Sequence, residues 1–202
     1  MVRLFIAIPI ELSEAGMAVY EDLEALGDLV RVPSTENLHL TLRFIGEVPN
    51  TFVEPIADTL TELHEEYNFE SRLMELRGVS RFPSSRKKPA RVVFLTLDED
   101  SEHFIIDVSE KITAALEEMS PSIDRLDRNV VPHLTLARVK DQEKAANNIE
   151  KIMKKYEGQA LGHVKADRIE LIASTLTGGG AFYTTQHELE LALPGDMGLD
   201  EA

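Results

Sequence analysis

The sequence predicts an α+β protein with an internal duplication, in which two antiparallel sheets face each other across a central cleft with helices on the outside. Three observations predict this bilobal fold. The order strand, helix, strand, helix, strand occurs twice, starting at Arg3 and at Arg91. Each expected helix has one apolar stripe, which is typical of helices that cover a single face of a sheet. The tetrapeptide His-Leu-Thr-Leu stands at the same place in both copies, at 39–42 and 133–136.

The first copy begins with an apolar, β-rich segment at 3–9, which predicts a buried strand. Ser13 is the expected N-cap of the helix that follows. Thr51 and Glu54 have the spacing of a capping box, which predicts the start of a second helix. After that helix we expect a strand between 69 and 79.

The second copy repeats this order, and two further strands end it. We expect a strand at 91–97, a helix over 104–119, a strand at 131–139, a helix over 145–156, and strands near 164–175 and 181–193 that are joined by a turn at Gly178-Gly179-Gly180.

We expect residues 1–194 to form a single bilobal domain, with a first half of about 1–85 and a second half of about 86–194. Strands from one half can be part of the lobe formed by the other half. The boundary is the loop at 82–90, which contains prolines and three consecutive basic residues. The polar tail at 195–202 is expected to be disordered.

Both tetrapeptides lie on strands of alternating pattern, so each is expected to have one polar and one buried face. In the first copy the expected polar face carries His39, Thr41 and Arg43, and the buried face carries Leu38, Leu40, Leu42 and Phe44. In the second copy His133, Thr135 and Ala137 are expected on one face, with Leu134 and Leu136 on the other.

The composition, with 202 residues of which 43% are hydrophobic, is that of a globular protein. The absence of cysteine excludes disulfides, thiolate metal sites and a cysteine nucleophile. No apolar run reaches the length of a signal-peptide core or a membrane span, so we expect a cytoplasmic protein without a membrane partner. A net charge of −15 argues against unselective coating of nucleic acid, so an anionic substrate must be bound locally.

The distribution of acidic residues suggests where such a local site lies. Four stretches contain no acidic residue, namely 37–46, 76–97, 128–140 and 171–187. The first and the third of them hold the tetrapeptides. The second stretch includes Arg86, Lys87, Lys88 and Arg91, so the field can be positive there. The alternative is that strands are poor in acidic residues in any case.

A histidine and a threonine two positions apart on a strand lie on one face, about 6.5–7 Å apart. Two such pairs facing each other offer two imidazoles and two hydroxyls to one tetrahedral group. In-line displacement at a phosphodiester needs a base for the attacking oxygen and an acid for the leaving oxygen, and histidine performs both roles near neutral pH. The threonines would donate hydrogen bonds to the non-bridging oxygens. The pattern therefore indicates phosphodiester chemistry.

Three other interpretations remain at this point. His39 and His133 could be structural residues with satisfied hydrogen bonds. They could be zinc ligands, although two histidines without a nearby cysteine or carboxylate are a poor set. The repeat could also be a relic of duplication in a protein that binds without catalysis.

The two extended motif blocks resemble the two-histidine phosphoesterases, and within them the RNA 2',3'-cyclic phosphodiesterases, formerly called 2'-5' RNA ligases. The similarity covers nearly the whole chain. It includes residues 3–8, 36–48 and 131–138, Gly78 with Phe82-Pro83, and Ser174, Leu176, Gly180 and Tyr183 of a closing hairpin.

The resemblance implies hydrolysis of a terminal 2',3'-cyclic phosphate to a 2'-phosphate, with no metal and no cofactor. It implies that His39 gives a proton to the departing 3' oxygen and that His133 activates water. Thr41 and Thr135 would hold the phosphate. The implied ligands are RNA ends or small cyclic-phosphate nucleotides; no obligate protein partner is implied, so we expect a monomer. Related activities are a phosphoesterase or ligase acting on 2'-5' linked RNA, or an RNA-binding module without turnover.

The sequence departs from the family in one respect. Relatives often have a tryptophan in the loop before the first motif, where this chain has Arg31-Val32-Pro33 and no tryptophan at all. Base stacking would then come from elsewhere, and Phe82 and Tyr183 are the candidates. The candidate RNA-binding residues are Arg43, Arg86, Lys87, Lys88, Arg91, Arg138, Phe82 and Tyr183.

Overall fold

The computed structural model describes residues 1–120, 123, 130–177 and 180–194. The expected tail at 195–202 and the first two glycines of the expected turn at 178–180 lie outside the described residues.

The described residues form four helices and nine strands. The helices are α1 (Glu14–Glu24), α2 (Val53–Tyr67), α3 (Glu99–Met119) and α4 (Gln142–Lys155). The strands are β1 (Val2–Pro9), β2 (Val30–Arg31), β3 (His39–Val48), β4 (Arg72–Phe82), β5 (Val92–Leu97), β6 (Leu134–Val139), β7 (Ala160–Ala166), β8 (Arg168–Thr177) and β9 (Gly180–Glu190).

Local sequence signals had mixed success at the ends of these elements. The Ser13 side chain does cap α1, since its hydroxyl accepts a hydrogen bond from the Gly16 N–H at 3.1 Å. The predicted capping box is wrong: the segment Asn50–Phe52 is a 3-10 turn, and α2 starts behind it without a side-chain cap. The strand β2 was not predicted, because it is only two residues long. The single strand predicted near 164–175 combines the end of β7 with most of β8.

The strands pair antiparallel in the order β7-β4-β5-β6-β3-β1-β8-β9, with β2 added beside β6. The α+β architecture predicted from the sequence is confirmed, with one difference in the sheet. The two expected sheets are joined into one, through the single pair Leu40 on β3 and Leu134 on β6. That pair lies at the centre of the strand order, so the two motif strands are neighbours.

Strands do not stay with the half of the chain that supplies them. The first half supplies β4, which lies between β5 and β7 of the second half. The second half supplies β8 and β9, which extend the sheet beyond β1. Each motif strand therefore has a strand of its own copy as its outer neighbour, and a strand from the other copy follows next.

The core lies between one face of the sheet and the helices. Leu4, Ile6 and Ile8 of β1 belong to one large buried cluster with apolar residues from all four helices. The alternate residues Phe5 and Ala7 form a small separate cluster on the opposite face, with Ile172 and Tyr183. That opposite face carries the candidate site. No helix in the described part of the chain is long and apolar enough to cross a membrane.

Candidate functional site

The four motif side chains share the face of the sheet that the helices leave open. Leu40 and Leu134 are directly paired and fully buried in the core. Residues on either side of a paired residue project from the opposite face of a sheet. His39 and Thr41 of one strand therefore lie on the same face as His133 and Thr135, and all four side chains are half-buried.

Both histidines are held in the same way. The Nδ1 of His39 lies 2.7 Å from the carbonyl oxygen of Asn37, and the Nδ1 of His133 lies 2.7 Å from the carbonyl oxygen of Val131. Because a carbonyl only accepts, Nδ1 must be the protonated nitrogen in both rings. Nε2 is then left for a substrate. It is a base when the ring is neutral and an acid when the ring is charged.

Aromatic rings surround each histidine. Phe5 and Tyr183 have ring centroids 5.0 and 5.6 Å from that of His39. Phe82 and Phe94 have centroids 5.0 and 5.1 Å from that of His133. Phe82 and Tyr183, named from the sequence as stacking candidates, are thus packed edge-on against the histidines and restrict the orientation of the imidazole rings.

Burial lowers the pKa of His39 below its ordinary value of 6.5, because the charged ring loses hydration. The hydrogen bond to Asn37 opposes this shift, whereas the positive charges of His133 and Arg138 add to it. The carboxylate of Glu170 acts in the opposite direction and favours the charged ring. A positive charge on His133 therefore disfavours adding a proton to His39.

Glu170 was missed by the sequence analysis. It is on β8, directly opposite Ala7 of β1, and is only 8% exposed. Its carboxylate accepts hydrogen bonds from the hydroxyl of Thr185 at 2.8 Å and from Nε of Arg168 at 3.0 Å. The available signal was a lone acidic residue inside the apolar run of a predicted strand.

A register shift in β3 overturns the predicted alternation beyond Leu42. Thr41 pairs with Ala7 and Arg43 pairs with Ile6, so Leu42 is an extra residue in the ladder. A bulge of one residue moves the residues after it to the other face, and in β3 this holds as far as Phe44, because a second register shift follows at Ile45. Arg43 therefore lies on the helix side, only 3% exposed, and its expected place beside His39 and Thr41 is wrong.

Phe44 takes the place that Arg43 was expected to have on the face of the sheet that the helices leave open, which we call the cleft face. It pairs with Phe5, its ring centroid is 6.1 Å from that of Phe5, and it is 45% exposed. The sequence analysis had put Phe44 in the core. An exposed aromatic ring on a cleft face is a surface on which a base can stack.

The second motif strand has the same shift at the same position. Thr135 pairs with Phe94 and Ala137 pairs with Val93, so Leu136 is the extra residue. Ala137 is fully buried on the helix side rather than beside His133 and Thr135 as expected. Arg138 follows on the cleft face and is exposed. The two bulges thus place Phe44 and Arg138 at equivalent points of the two copies.

A bulge frees main-chain groups that need other partners. The carbonyl oxygen of Leu42 accepts a hydrogen bond at 2.5 Å from the hydroxyl of Ser109 on α3. Ser109 is completely buried. Its hydrogen bond from the helix side of the sheet therefore stabilises the bulge that exposes Phe44.

The basic candidates form a second group beside His133. Arg86, Lys87 and Lys88 are exposed on the loop after β4, and Arg91 is exposed just before β5. Lys88, Arg91 and Arg138 border an open groove of about 720 Å³, which Phe82 also lines. Among the described residues, no three His, Asp or Glu side chains lie close enough together to hold a metal ion.

Comparison with known proteins identifies the class and the family. A family model described as the AKAP7 2'5' RNA ligase-like domain matches residues 11–191. A protein of Aeropyrum pernix named RNA 2',3'-cyclic phosphodiesterase is 32% identical over 160 residues, 79% of this chain and 85% of the relative. An Aquifex aeolicus protein of the same name is 28% identical over 170 residues, 84% of this chain and 85% of the relative.

Two solved structures have the same fold. The Thermus thermophilus protein TT0787 has a TM-score of 0.70 at 23% identity, covering 95% of this chain and 98% of the other. Escherichia coli LigT complexed with 3'-AMP has a TM-score of 0.63 at 22% identity, covering 94% and 98%. Fold and paired motifs together define the class of two-histidine phosphoesterases. Within it, the chain belongs to the family of AKAP7 2'5' RNA ligase-like domains.

Proposed function

We propose that this protein hydrolyses a terminal 2',3'-cyclic phosphate on RNA to a 2'-phosphate, using His39 and His133 as an acid–base pair. The observation that carries the proposal is their matched hydrogen bonding: each Nδ1 donates to a carbonyl of its own chain segment, which leaves both Nε2 atoms for one substrate. Curated relatives bear the name of this activity.

The reaction needs one proton acceptor and one proton donor. Water attacks phosphorus and loses a proton to the neutral imidazole, while the bond from phosphorus to the 3' oxygen breaks. The 3' oxygen takes a proton from the charged imidazole and becomes a hydroxyl, so the phosphate stays on the 2' oxygen. The pair returns to its starting state by moving one proton from the base to the acid through solvent. Each proton transfer typically contributes ~10²- to 10⁴-fold in rate.

Thr41 and Thr135 would donate hydrogen bonds to the two non-bridging oxygens, where negative charge grows in the transition state. Each hydroxyl lies two residues from a histidine and on its face, so it reaches a different oxygen of the same phosphate. The sheet itself thereby sets the spacing between acid, base and phosphate.

His39 is proposed as the acid and His133 as the base, as the family resemblance implies. The lowered pKa of His39 means that its free ring is neutral at pH 7, so it must gain its proton when the substrate binds. The negative charge of the cyclic phosphate favours this, because an adjacent anion stabilises the charged ring. The buried carboxylate of Glu170 favours it as well.

A substrate with sulphur in place of the 3' oxygen tests this assignment. Sulphur departs as a thiolate and does not need a proton, so the acid becomes dispensable. His39→Ala should then recover most of its lost rate on the sulphur substrate, whereas His133→Ala should not. The opposite pattern would exchange the two roles while leaving the acid–base pair itself intact.

Phe44 and Arg138 are proposed to contact different parts of the substrate, Phe44 the base and Arg138 a phosphate. Both are exposed on the cleft face, both follow a motif histidine by five residues, and one offers an aromatic face while the other offers a planar cation. An exposed aromatic ring stacks on bases of any sequence. This assignment gives the stacking surface to Phe44 rather than to Phe82 or Tyr183, whose rings already pack on the histidines.

Product analysis tests the function directly. The protein is incubated with a short RNA ending in a 2',3'-cyclic phosphate, and the products are separated. We expect only the 2'-phosphate. A 3'-phosphate product would exclude the proposed leaving group, joined RNA would indicate a ligase, and bound but unchanged RNA would indicate a binding module.

A further inference from the structure

A basic groove adjoins the candidate site on the His133 side. We define it by Phe82, Lys88, Arg91, Arg138 and Gln142, which border an open volume of about 720 Å³. Ligand sites typically have volumes of ~300–1,000 Å³. None of the residues that line this groove is acidic, in a chain whose net charge is −15. The groove therefore concentrates positive charge on an otherwise negative molecule.

Two residues of the basic groove lie next to the reacting centre. Phe82 lines the groove, and its ring centroid is 5.0 Å from that of His133. Arg138 also lines the groove, and its charge is close enough to lower the pKa of His39. A ligand whose phosphate lies between the two histidines can thus extend toward the groove past Phe82 and Arg138.

The cations of the groove have no ion-pair partner among the residues that the structure describes. In the described ranges of the chain, no acidic side chain forms an ion pair with Lys88, Arg91 or Arg138. Arg138 also lies directly opposite Arg31 in the β2–β6 ladder, and both are exposed. Like charges directly opposite each other destabilise a sheet. An anion bound between them would remove that cost.

A buried guanidinium holds the loop that forms one wall. Arg81 is 6% exposed, and its Nη2 donates to the carbonyl oxygens of Ser85 at 2.9 Å and Lys88 at 2.7 Å. The N–H of Arg91 donates to the carbonyl of Phe82 at 2.7 Å and closes the loop at its base. The wall is therefore fixed before a ligand arrives, which reduces the entropy cost of binding.

The two copies of the motif differ at this point. The bulge in β6 puts Arg138 on the cleft face, whereas the same bulge in β3 puts Phe44 there. A chain of phosphates thus has a cationic path on one side of the pseudo-symmetric centre. A bound phosphate chain therefore has one preferred orientation in the site, although the histidines and threonines are nearly symmetric.

We infer that the basic groove binds the sugar-phosphate backbone on the 5' side of the terminal nucleotide. This inference rests on the proposed function. A cyclic phosphate occupies both the 2' and 3' oxygens of the last ribose, so the rest of the RNA can leave the site only through the 5' oxygen. The groove selects an RNA end over a free mononucleotide and leaves the chemistry unchanged.

The test compares adenosine 2',3'-cyclic phosphate with oligoadenylates of two, four and eight nucleotides that carry the same end. We expect kcat/KM to rise with length, and the double variant Lys88→Gln/Arg91→Gln to reduce the ratio of octamer to mononucleotide by roughly tenfold, because two phosphate contacts are lost. In the variant, the slope of log kcat/KM of the octamer against log salt should become less steep by ~1.4, at ~0.7 per contact for single strands.

The matched control is Lys151→Gln/Lys154→Gln, which removes two exposed charges of α4 outside the groove. It should leave the length ratio and the salt slope at their original values. The inference is overturned if the wild-type protein shows no preference for length, or if the two double variants behave alike. Binding of a labelled octamer needs no turnover and compares the same variants. If the protein hydrolyses no substrate, the proposed function is refuted, and the binding data still show whether the groove binds RNA.

Discussion

Ser109 supports the part of β3 that exposes Phe44, which makes Ser109→Ala an informative variant. Its hydroxyl donates to the carbonyl of Leu42, the extra residue of the bulge, and both groups are away from solvent. Removing the donor leaves a buried carbonyl without that partner, at a cost of ~1–3 kcal/mol. Taking about 2 kcal/mol, the melting temperature of a chain of this size should fall by roughly 4–8 °C.

The kinetic effect should be specific to substrate binding. With the bulge less firmly held, the ring of Phe44 is positioned less well, and stacking on an aromatic ring is worth ~1–3 kcal/mol per base. Partial loss of that contact predicts a three- to tenfold increase in KM, about 1 kcal/mol, with a smaller change in kcat. The assay is steady-state hydrolysis of adenosine 2',3'-cyclic phosphate, together with thermal unfolding of the same preparation.

Ser101→Ala is the matched control, on the same helix. The hydroxyl of Ser101 is also buried and accepts a hydrogen bond at 3.1 Å from the N–H of Glu75, far along β4 from the site. It should lose comparable stability and keep its KM. If both variants raise KM equally, the effect is general loosening of the fold, and the role given to the Leu42 bulge is refuted.

Three further predictions concern the site itself. Phe44→Ala should raise KM for cyclic mononucleotides by about tenfold through loss of stacking. The control Phe182→Ala removes another exposed ring and should leave KM unchanged. Equal effects of the two variants on KM would argue against a base contact of Phe44. Glu170→Gln should lower the pKa of His39 further, since a carboxylate that stabilises the charged ring is lost. NMR titration of the His39 ring measures this pKa. An unchanged or raised pKa would contradict the electrostatic role given to Glu170. Hydrolysis should continue in excess EDTA, because both proton transfers are assigned to imidazoles, and loss of turnover that added metal restores would indicate a metallohydrolase.

Helical and strand periodicity were sufficient to predict the four helices and the two motif strands. Strand periodicity also predicted that the histidine and the threonine of each tetrapeptide lie on the same face. Those features depend on local patterns that the sequence displays directly. The exchange of β4, β8 and β9 between the copies depends on pairing between distant segments, which periodicity does not contain. Recognising the family did not supply that pairing either.

The prediction was wrong where a single residue changed the register. Nothing in the letters Leu42 and Leu136 marks them as bulges, and a strict alternation placed Arg43 and Ala137 on the cleft face. The structure moves both to the core side and brings Phe44 and Arg138 to the site. Glu170 was missed for a related reason, since its contact with Thr185 requires the β8–β9 hairpin to be in its actual register.

The double-mutant cycle of His39→Ala and His133→Ala, measured as turnover of an RNA that ends in a 2',3'-cyclic phosphate, tests the central claim most directly. Each single variant should lose ~10²-fold or more in kcat. Because the two rings act on one phosphate in one step, the double variant should be little slower than the slower single variant. The account is contradicted if either single variant keeps full turnover, or if the two losses multiply as they would for independent groups.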